Sequence, residues 1–224
     1  MEKRLNQTAN PTAYLAPVLD ILAAKWPENR TVNIVCHGHS VPAGYFATPF
    51  VNSQMAYPNL LQAAVKERFP FAVLNVIVTA IGGEDSASGL ARFDADVLCH
   101  KPDVLTLDYG LNDRRIGLAE AEKAWRGMIE TALAQGIKVI LMTPSWEQSF
   151  FRRDENWQAL TAHTAQIRAL AAEYGVGLAD SFACFAAEVK QDTDLIPLLS
   201  HMNHPSVVGH TIIARELSKF FLAR

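Results

Sequence analysis

The chain alternates short apolar runs with longer amphipathic segments, and this alternation constrains the fold more than any other feature. Five runs are near-continuously apolar, and most are rich in β-branched residues, which predicts strands buried on both faces, as in a parallel sheet. The runs are VNIVCH (32–37), FAVLNVIVT (71–79), DVLTLDYG (103–110), KVILMT (138–143) and the weaker VGLAD (176–180).

The segments beside these runs carry apolar residues at three- and four-residue spacing, which predicts amphipathic helices. Gly136 and Gly175 stand where two of the helices should end, just before the next strand. Strand–helix alternation of this kind predicts an α/β sandwich. The predicted helices cover residues 12–26, 57–69, 87–99, 118–135, 155–174 and 206–222.

Composition excludes several classes of protein. A hydrophobic fraction of 50%, a charged fraction of 19% and a mean hydropathy of +0.06 indicate a sizeable core and no extended disorder. A net charge of -3 gives no basic surface for nucleic acid, and the doublets 114–115 and 152–153 are expected to be solvated. No segment approaches the ~18 uninterrupted apolar residues of a membrane span.

Cysteine content and the first residues bear on the compartment. Cys36, Cys99 and Cys184 are far apart and odd in number, which favours buried free thiols over a disulfide framework. Residues 1–10 contain no apolar segment of a signal peptide. We therefore expect a cytoplasmic protein, or a secreted or periplasmic one if a leader has been removed.

Polar loops follow the first three predicted strands. Ligands of parallel sheets bind outside the carboxyl ends of the strands, so HGHSVPAGY, AIGGEDSAS and GLNDRR should meet at one edge. LSHMNHPS (199–206) precedes the last helix and can return to the same edge. Taken singly, each loop has an ordinary interpretation as a turn or a helix cap. Their combination and order indicate a catalytic or binding site.

In this order the loops resemble the sequence blocks of the SGNH hydrolases, also called GDSL esterases and lipases. Residues 38–44 (GHSVPAG) match Gly-Asp-Ser-x-x-x-Gly, with histidine where aspartate is usual. Gly83, with Gly82 beside it, aligns with the glycine of the second block, and residues 110–113 (GLND) match Gly-x-Asn-Asp in full. Residues 201–205 (HMNHP) match the Asp-x-x-His-Pro block only in part.

The resemblance implies a serine esterase that needs no cofactor. It makes Ser40 the nucleophile and His204 the base, because a hydroxyl nucleophile needs a neighbouring group to take its proton. It also implies an oxyanion hole formed by the Ser40 N–H, the Gly83 N–H and the Asn112 side chain. The acid of the family is replaced by His201, so we predict a Ser40–His204 dyad.

The orientation of His204 then needs another partner. Asp192 and Asp194 lie close by in sequence, but apolar residues separate them from the histidine loop. A backbone carbonyl that accepts the Nδ1–H of His204 is the simpler substitute.

A metal site is the alternative use of the histidines, since neutral imidazole is a common zinc ligand. No cysteine or carboxylate motif completes a ligand set, although Asp113 and Glu84 could be recruited, so no metal is predicted. His37 and His39 are instead expected in loops, satisfied by hydrogen bonds, and His210 on the last helix, bonding across a loop. The histidines considered are His37, His39, His201, His204 and His210.

Aromatic residues near the predicted site leave two interpretations open. One group could wall a substrate cleft or pack in the core, and a second group could form an exposed cluster that stacks on a sugar or covers an acyl chain. Asp108, near the end of the third strand, is expected to be structural. The first group is Tyr45, Phe46, Phe50 and Tyr57, and the second is Trp146, Phe150 and Phe151.

Taken together, pattern and resemblance predict one domain over residues 1–224, a three-layer α/β/α sandwich with a flavodoxin-like, five-stranded parallel sheet. The expected substrate is a small-molecule ester, either an acylated sugar or a lipid. Absence of a long apolar lid favours short acyl groups, hence a carbohydrate O-acetylesterase. The alternatives are a lysophospholipase or general short-chain esterase, and a binding module that keeps the fold without the chemistry. Nothing in the sequence indicates an oligomeric state.

Overall fold

A five-stranded parallel sheet forms the centre of the computed structural model, which describes residues 7–222. The strand order is β2-β1-β3-β4-β5, the flavodoxin-like order, and every neighbouring pair is parallel. The predicted fold class is confirmed, and each predicted apolar run coincides with a strand to within a few residues. The strands are β1 (Thr31–Gly38), β2 (Val73–Val78), β3 (Val104–Asp108), β4 (Lys138–Met142) and β5 (Gly177–Ala179).

Helices precede, connect and follow the strands. Short 3-10 turns occupy residues 53–55, 98–100, 113–115 and 192–198. The α-helices of the described residues are α1 (Pro11–Tyr14), α2 (Ala16–Ala23), α3 (Ser40–Ala43), α4 (Tyr57–Arg68), α5 (Ser86–Ala91), α6 (Phe93–Asp96), α7 (Gly117–Ala134), α8 (Ser149–Arg152), α9 (Glu155–Tyr174), α10 (Ser181–Glu188) and α11 (Val207–Leu222). Between residues 7 and 222, no helix combines the length and apolarity needed to cross a bilayer.

The sheet separates two apolar cores, which explains why its central strands are apolar at nearly every position. Successive side chains of a strand point to opposite faces. On β1, Ile34 therefore packs into the core beneath α2, α4 and α11, whereas Val35 packs into the core beneath α7 and α9. The same alternation places Ile140 of β4 in the first core and Leu141 in the second. Helices thus cover both faces.

Two predicted helices differ from those observed. The helix predicted over 12–26 is interrupted at Leu15 and ends at Ala23. The helix predicted over 87–99 is divided into α5, α6 and a 3-10 turn, with non-helical backbone angles at Arg92 (φ -112°, ψ 10°). The local apolar spacing is compatible with a continuous helix in both segments, so it does not predict where the helix breaks.

α10 is a helix that the apolar spacing does not predict. Asp180 caps α10 by accepting the N–H of Ala183 at 3.1 Å.

The cysteines differ in part from the expectation of buried free thiols. All three cysteines are free thiols, but only Cys36 is buried, while Cys99 is exposed and Cys184 is half-buried.

Two of the histidines are buried as neutral side chains. His37 lies on β1 rather than in a loop, with Nδ1 2.8 Å from Thr79 Oγ1 and Nε2 3.2 Å from the Gly89 carbonyl. His210 lies on α11, as expected, and its Nδ1 accepts the Tyr57 N–H at 3.3 Å. Burial lowers the pKa of His37 to about 4 and that of His210 to about 3.

These pKa values give the stability a pH dependence of definite sign. An unfolded histidine has a pKa near ~6.5, so on acidification the unfolded chain takes up these protons before the folded one. Above the unfolded pKa of ~6.5, each histidine makes its full contribution to the free energy of unfolding. This contribution is lost as the pH falls towards about 4 for His37 and about 3 for His210, and it amounts to ~1.4 kcal/mol for each unit by which the pKa is lowered.

We expect the Tm to decrease between pH 7 and pH 4, and less steeply in His210→Asn. That substitution keeps an acceptor for the Tyr57 N–H while removing the titrating group. Thermal unfolding at pH 7, 6, 5 and 4 measures both slopes. Equal slopes in the wild type and the variant would show that His210 does not contribute.

Candidate active site

Ser40 begins α3 directly beyond the carboxyl end of β1. Gly38 lets the strand pass close to β3, because a Cβ at this position would lie 2.4 Å from the Asp108 carbonyl oxygen. Gly44 ends α3 with a φ of +88°, in the left-handed region that favours glycine. Both glycines of the GHSVPAG segment are therefore required by the turn that presents the Ser40 hydroxyl.

The Ser40 and His204 side chains contact each other. Ser40 Oγ lies 3.0 Å from His204 Nε2, and His204 Nδ1 lies 2.7 Å from the Phe46 carbonyl oxygen. A carbonyl only accepts hydrogen bonds, so Nδ1 carries the proton and Nε2 presents its lone pair to the Ser40 hydroxyl. Burial, with a smaller contribution from the neighbouring histidines, lowers the pKa of His204 and keeps its imidazole neutral.

The Phe46 carbonyl is held by a small hairpin that follows α3. Tyr45 bridges to Val51, and the Phe46 N–H donates to the Phe50 carbonyl at 3.0 Å. The Tyr45 N–H donates to the Ser40 carbonyl at 3.0 Å, which ties the hairpin to the turn that carries Ser40. Sequence reasoning could expect a carbonyl here but could not identify Phe46, because every residue carries one.

No carboxylate takes the place of that carbonyl in the described chain. His201 is exposed, and Asp192 lies 3.5 Å from Arg153 in an exposed ion pair. Asp194 accepts hydrogen bonds from two backbone N–H groups at the start of its own 3-10 turn. Both aspartates are thus engaged away from His204.

The loop that carries Gly83 lies beside this pair. A Cβ on Gly82 would come within 2.9 Å of the Tyr45 ring, whose centroid is 6.0 Å from that of His204. Gly83 has a φ of +84°. Its N–H makes no hydrogen bond with another residue in 7–222, and the Ser40 N–H, at the first position of α3, has no intrahelical partner.

Asn112 joins the third loop to the second. Its Nδ2 donates to the Glu84 carbonyl at 2.8 Å, which uses one of the two N–H donors of the amide. The loops of all the candidate site residues therefore meet at the carboxyl edge of the sheet. Ser40 and His204 are in direct contact, Gly82 packs beside Tyr45 next to His204, and Asn112 is bonded to the loop that carries Gly83.

Asp113 and Glu84, which a metal site could have used, are engaged in other interactions. Asp113 is buried and accepts the Ser86 N–H and the Trp125 Nε1–H, both at 2.7 Å. Glu84 pairs with Arg92 at 2.6 Å. Over the described range, no three His, Cys, Asp or Glu side chains are grouped so that they could hold a metal ion.

His39, the departure from the family pattern next to Ser40, is fully buried. Its Nδ1 accepts the Val41 N–H at 3.1 Å and caps α3. Its Nε2 lies 3.4 Å from Asp108 Oδ1 without the geometry of a hydrogen bond. The expected hydrogen bonding of His39 is therefore observed for only one of its two ring nitrogens. Asp108 Oδ2 accepts the Tyr57 hydroxyl at 3.2 Å, which links β3 to α4 beneath the nucleophile turn.

The aromatic residues pack mainly inside the protein. Trp146 and Phe150 are buried with ring centroids 4.5 Å apart, so the interpretation of an exposed cluster is wrong for these two, although Phe151 is 43% exposed. In the other group, Phe46 and Tyr57 are core residues, Tyr45 is half-buried beside His204 and Phe50 is 58% exposed.

A serine paired with a histidine at the carboxyl edge of a flavodoxin-like sheet is the arrangement of an α/β serine hydrolase. Residues 36–212 match the family model described as the GDSL-like lipase/acylhydrolase family. The chain belongs to this family, which confirms the resemblance to the SGNH hydrolases, and it is a serine carboxylic ester hydrolase.

Several characterised proteins are similar to it. An acetylxylan esterase from Geobacillus stearothermophilus is 29% identical over 170 residues, which cover 70% of this chain and 74% of the relative. A crystal structure of an acetylxylan esterase from the same organism has a TM-score of 0.70 at 23% identity, covering 85% and 94% of the two chains. A two-domain esterase active on acetylated mannans has a TM-score of 0.76 at 20% identity, covering 96% of this chain and 54% of the other. At these identities the structural matches show the shared fold.

Proposed function

We propose that this protein hydrolyses acetyl esters of carbohydrates, with Ser40 as nucleophile and His204 as base. The observation that carries the proposal is the 3.0 Å contact between Ser40 Oγ and His204 Nε2 in a tautomer fixed by the Phe46 carbonyl. Similarity to an acetylxylan esterase and to an esterase active on acetylated mannans supports an acetylated saccharide as the substrate.

The proposed reaction follows from these positions. His204 Nε2 takes the Ser40 proton as Oγ attacks the acetyl carbonyl carbon, and the resulting oxyanion accepts hydrogen bonds from Ser40 N–H, Gly83 N–H and Asn112 Nδ2. Collapse of this intermediate breaks the ester bond, and His204 returns the proton to the departing sugar oxygen. Water, deprotonated by His204, then attacks the acetyl-enzyme and releases acetate and free Ser40.

The proposed dyad differs from the Geobacillus esterase in one respect. Solved forms of the Geobacillus esterase include catalytic mutants of an aspartate and of a histidine three positions later. Here the residue three positions before His204 is His201, which is exposed. The Phe46 carbonyl supplies orientation but no negative charge, so the imidazolium formed during the reaction is less stabilised than beside a carboxylate.

A short acyl group fits the surroundings of Ser40 better than a long chain. The aromatic side chains beyond β4 are mostly packed into the core, which removes them from an acyl groove. A large apolar cavity of about 760 Å³ does exist, but α1, α4 and α11 line it and none of the candidate site residues does. This cavity is therefore not placed to bind the acyl chain of an ester whose carbonyl carbon lies at Ser40.

Replacement of Asn112 by alanine should lower kcat by roughly 10²–10³ with a smaller effect on KM, because the donor acts mainly on the oxyanion of the transition state. Steady-state kinetics with p-nitrophenyl acetate measure both constants. Asn75→Ala, a substitution of an exposed asparagine on β2, is the control. A change confined to KM would show instead that Asn112 binds the substrate in its ground state.

A fluorophosphonate probe and an ester panel test the function as a whole. The probe should label the wild type but not Ser40→Ala, and p-nitrophenyl acetate should be hydrolysed faster than the longer esters up to palmitate. Acetate release from acetylated xylan then tests the carbohydrate. A preference for palmitate would favour a lysophospholipase, whereas absence of both labelling and turnover would favour a binding module.

A further inference from the structure

We propose that a polar recess beside His204 binds the sugar ring of the substrate, a neutral saccharide with neighbouring free hydroxyls. This assignment rests on the proposed esterase function and adds the subsite that selects the alcohol part. The recess has a volume of about 250 Å³ and is lined by Arg114, Glu147, Gln148, Asn156 and Asn203, among others. Two of its lining residues are adjacent to candidate site residues: Asn203 directly precedes His204, and the Nε of Arg114 donates to the carbonyl of Leu111, which precedes Asn112.

A fixed ion pair presents one donor and one acceptor to this recess. Arg114 Nη1 lies 3.0 Å from Glu147 Oε1, and Arg114 Nε donates to the Leu111 carbonyl at 2.8 Å. Glu147 Oε1 also accepts the Ser149 hydroxyl. The Glu147 side chain is only 4% exposed, so this pair is built into the wall rather than solvated at the surface.

The remaining polar atoms of the pair are unused. Within residues 7–222, neither Arg114 Nη2 nor Glu147 Oε2 makes a hydrogen bond with another residue. Guanidinium N–H groups only donate and carboxylate oxygens only accept, so the two atoms complement hydroxyl groups, which do both. A vicinal diol of a sugar ring fits such a pair.

Three amide side chains in the recess can also bind hydroxyl groups. Gln148, Asn156 and Asn203 use their side chains in no hydrogen bond with other described residues. Each amide offers two donors and one acceptor oxygen, enough to bind further ring hydroxyls. The recess therefore offers several unpaired polar groups in a small volume next to the proposed base.

The charge balance favours a neutral ligand over an acidic one. Arg114 is paired with Glu147, and Arg152, also on the recess, is paired with Asp154 at 2.7 Å. Positive charge is thus cancelled locally, which gives a uronate or a phosphate little attraction. Met202 is the one apolar residue in the lining, so a fatty acyl chain finds little complementary surface there.

Asn156→Ala and Glu147→Gln test the recess, with Gln158→Ala as the control, because Gln158 is an exposed amide on α9 that does not line the recess. The first measurement is the ratio of kcat/KM for an acetylated xylo-oligosaccharide to kcat/KM for p-nitrophenyl acetate, which has no sugar. We expect this ratio to fall at least about tenfold in both recess variants and to stay within about twofold in the control.

The second measurement is calorimetric binding of the same oligosaccharide to Ser40→Ala, alone and combined with Asn156→Ala. Binding that weakens at least about fivefold in the combined variant supports the subsite even if turnover is slow. If the kcat/KM ratio and the binding of the oligosaccharide are both unchanged in folded variants, the recess is not the sugar subsite, while the proposed esterase function still stands. Failure of the wild type to hydrolyse any ester would instead contradict the proposed function. Should Glu147→Gln not fold, Asn156→Ala and Gln148→Ala decide the outcome.

Discussion

Ser40→Ala is expected to reduce kcat for ester hydrolysis by about 10⁶, because loss of a serine nucleophile leaves only the catalysis given by binding and the oxyanion hole. The fold should tolerate the change, since the Ser40 hydroxyl makes one hydrogen bond, to His204. Loss of such a bond costs about 0.5–1.5 kcal/mol, which corresponds to a change in Tm of no more than about 6 °C for a chain of this length. Turnover of p-nitrophenyl acetate and thermal unfolding measure the two effects.

Ser53→Ala is the matched control for this prediction. Ser53 is exposed, follows the hairpin after α3, and its hydroxyl makes no hydrogen bond with other described residues. This variant should keep both turnover and fluorophosphonate labelling. Turnover by Ser40→Ala at anything near the wild-type rate would remove Ser40 from the role of nucleophile.

The sheet and the meeting of the loops could be predicted because they depend on local patterns. The strands are buried on both faces, so their sequences are apolar throughout, and parallel strands bring their carboxyl ends to one edge. Ser40 and Asn112 could be predicted as site residues because each lies in a loop after such a strand, within a block of defined spacing.

Other features depend on contacts that leave no mark in the sequence. The Phe46 carbonyl orients His204 through its backbone, for which any residue would serve. Arg114 belongs to a doublet that resembles a solvated surface pair, yet its side chain is 17% exposed and paired with a buried carboxylate 33 positions later. Long-range pairing of this kind is decided by tertiary packing, not by local composition.

His204→Ala is expected to abolish measurable hydrolysis, with a loss in kcat of up to about 10⁶, the size of effect found for the base of a Ser–His–Asp triad. Asp192→Ala and Asp194→Ala should each reduce kcat less than about tenfold, because neither carboxylate contacts His204. His201→Ala should retain a measurable part of the activity. Kinetics with p-nitrophenyl acetate at fixed pH compare the four variants.

The aspartate variants decide between a dyad and a displaced triad. In a triad, loss of the function of the carboxylate costs about 10⁴ in kcat, so the two arrangements differ by about three orders of magnitude in the expected effect. Asp194 also caps a 3-10 turn, and its loss can lower stability by about 0.5–2 kcal/mol, so each variant must first be shown to be folded by circular dichroism. A folded aspartate variant with a thousandfold loss of kcat would mean that its carboxylate reaches His204 during the reaction, and the Phe46 carbonyl could then not be the group that holds the base.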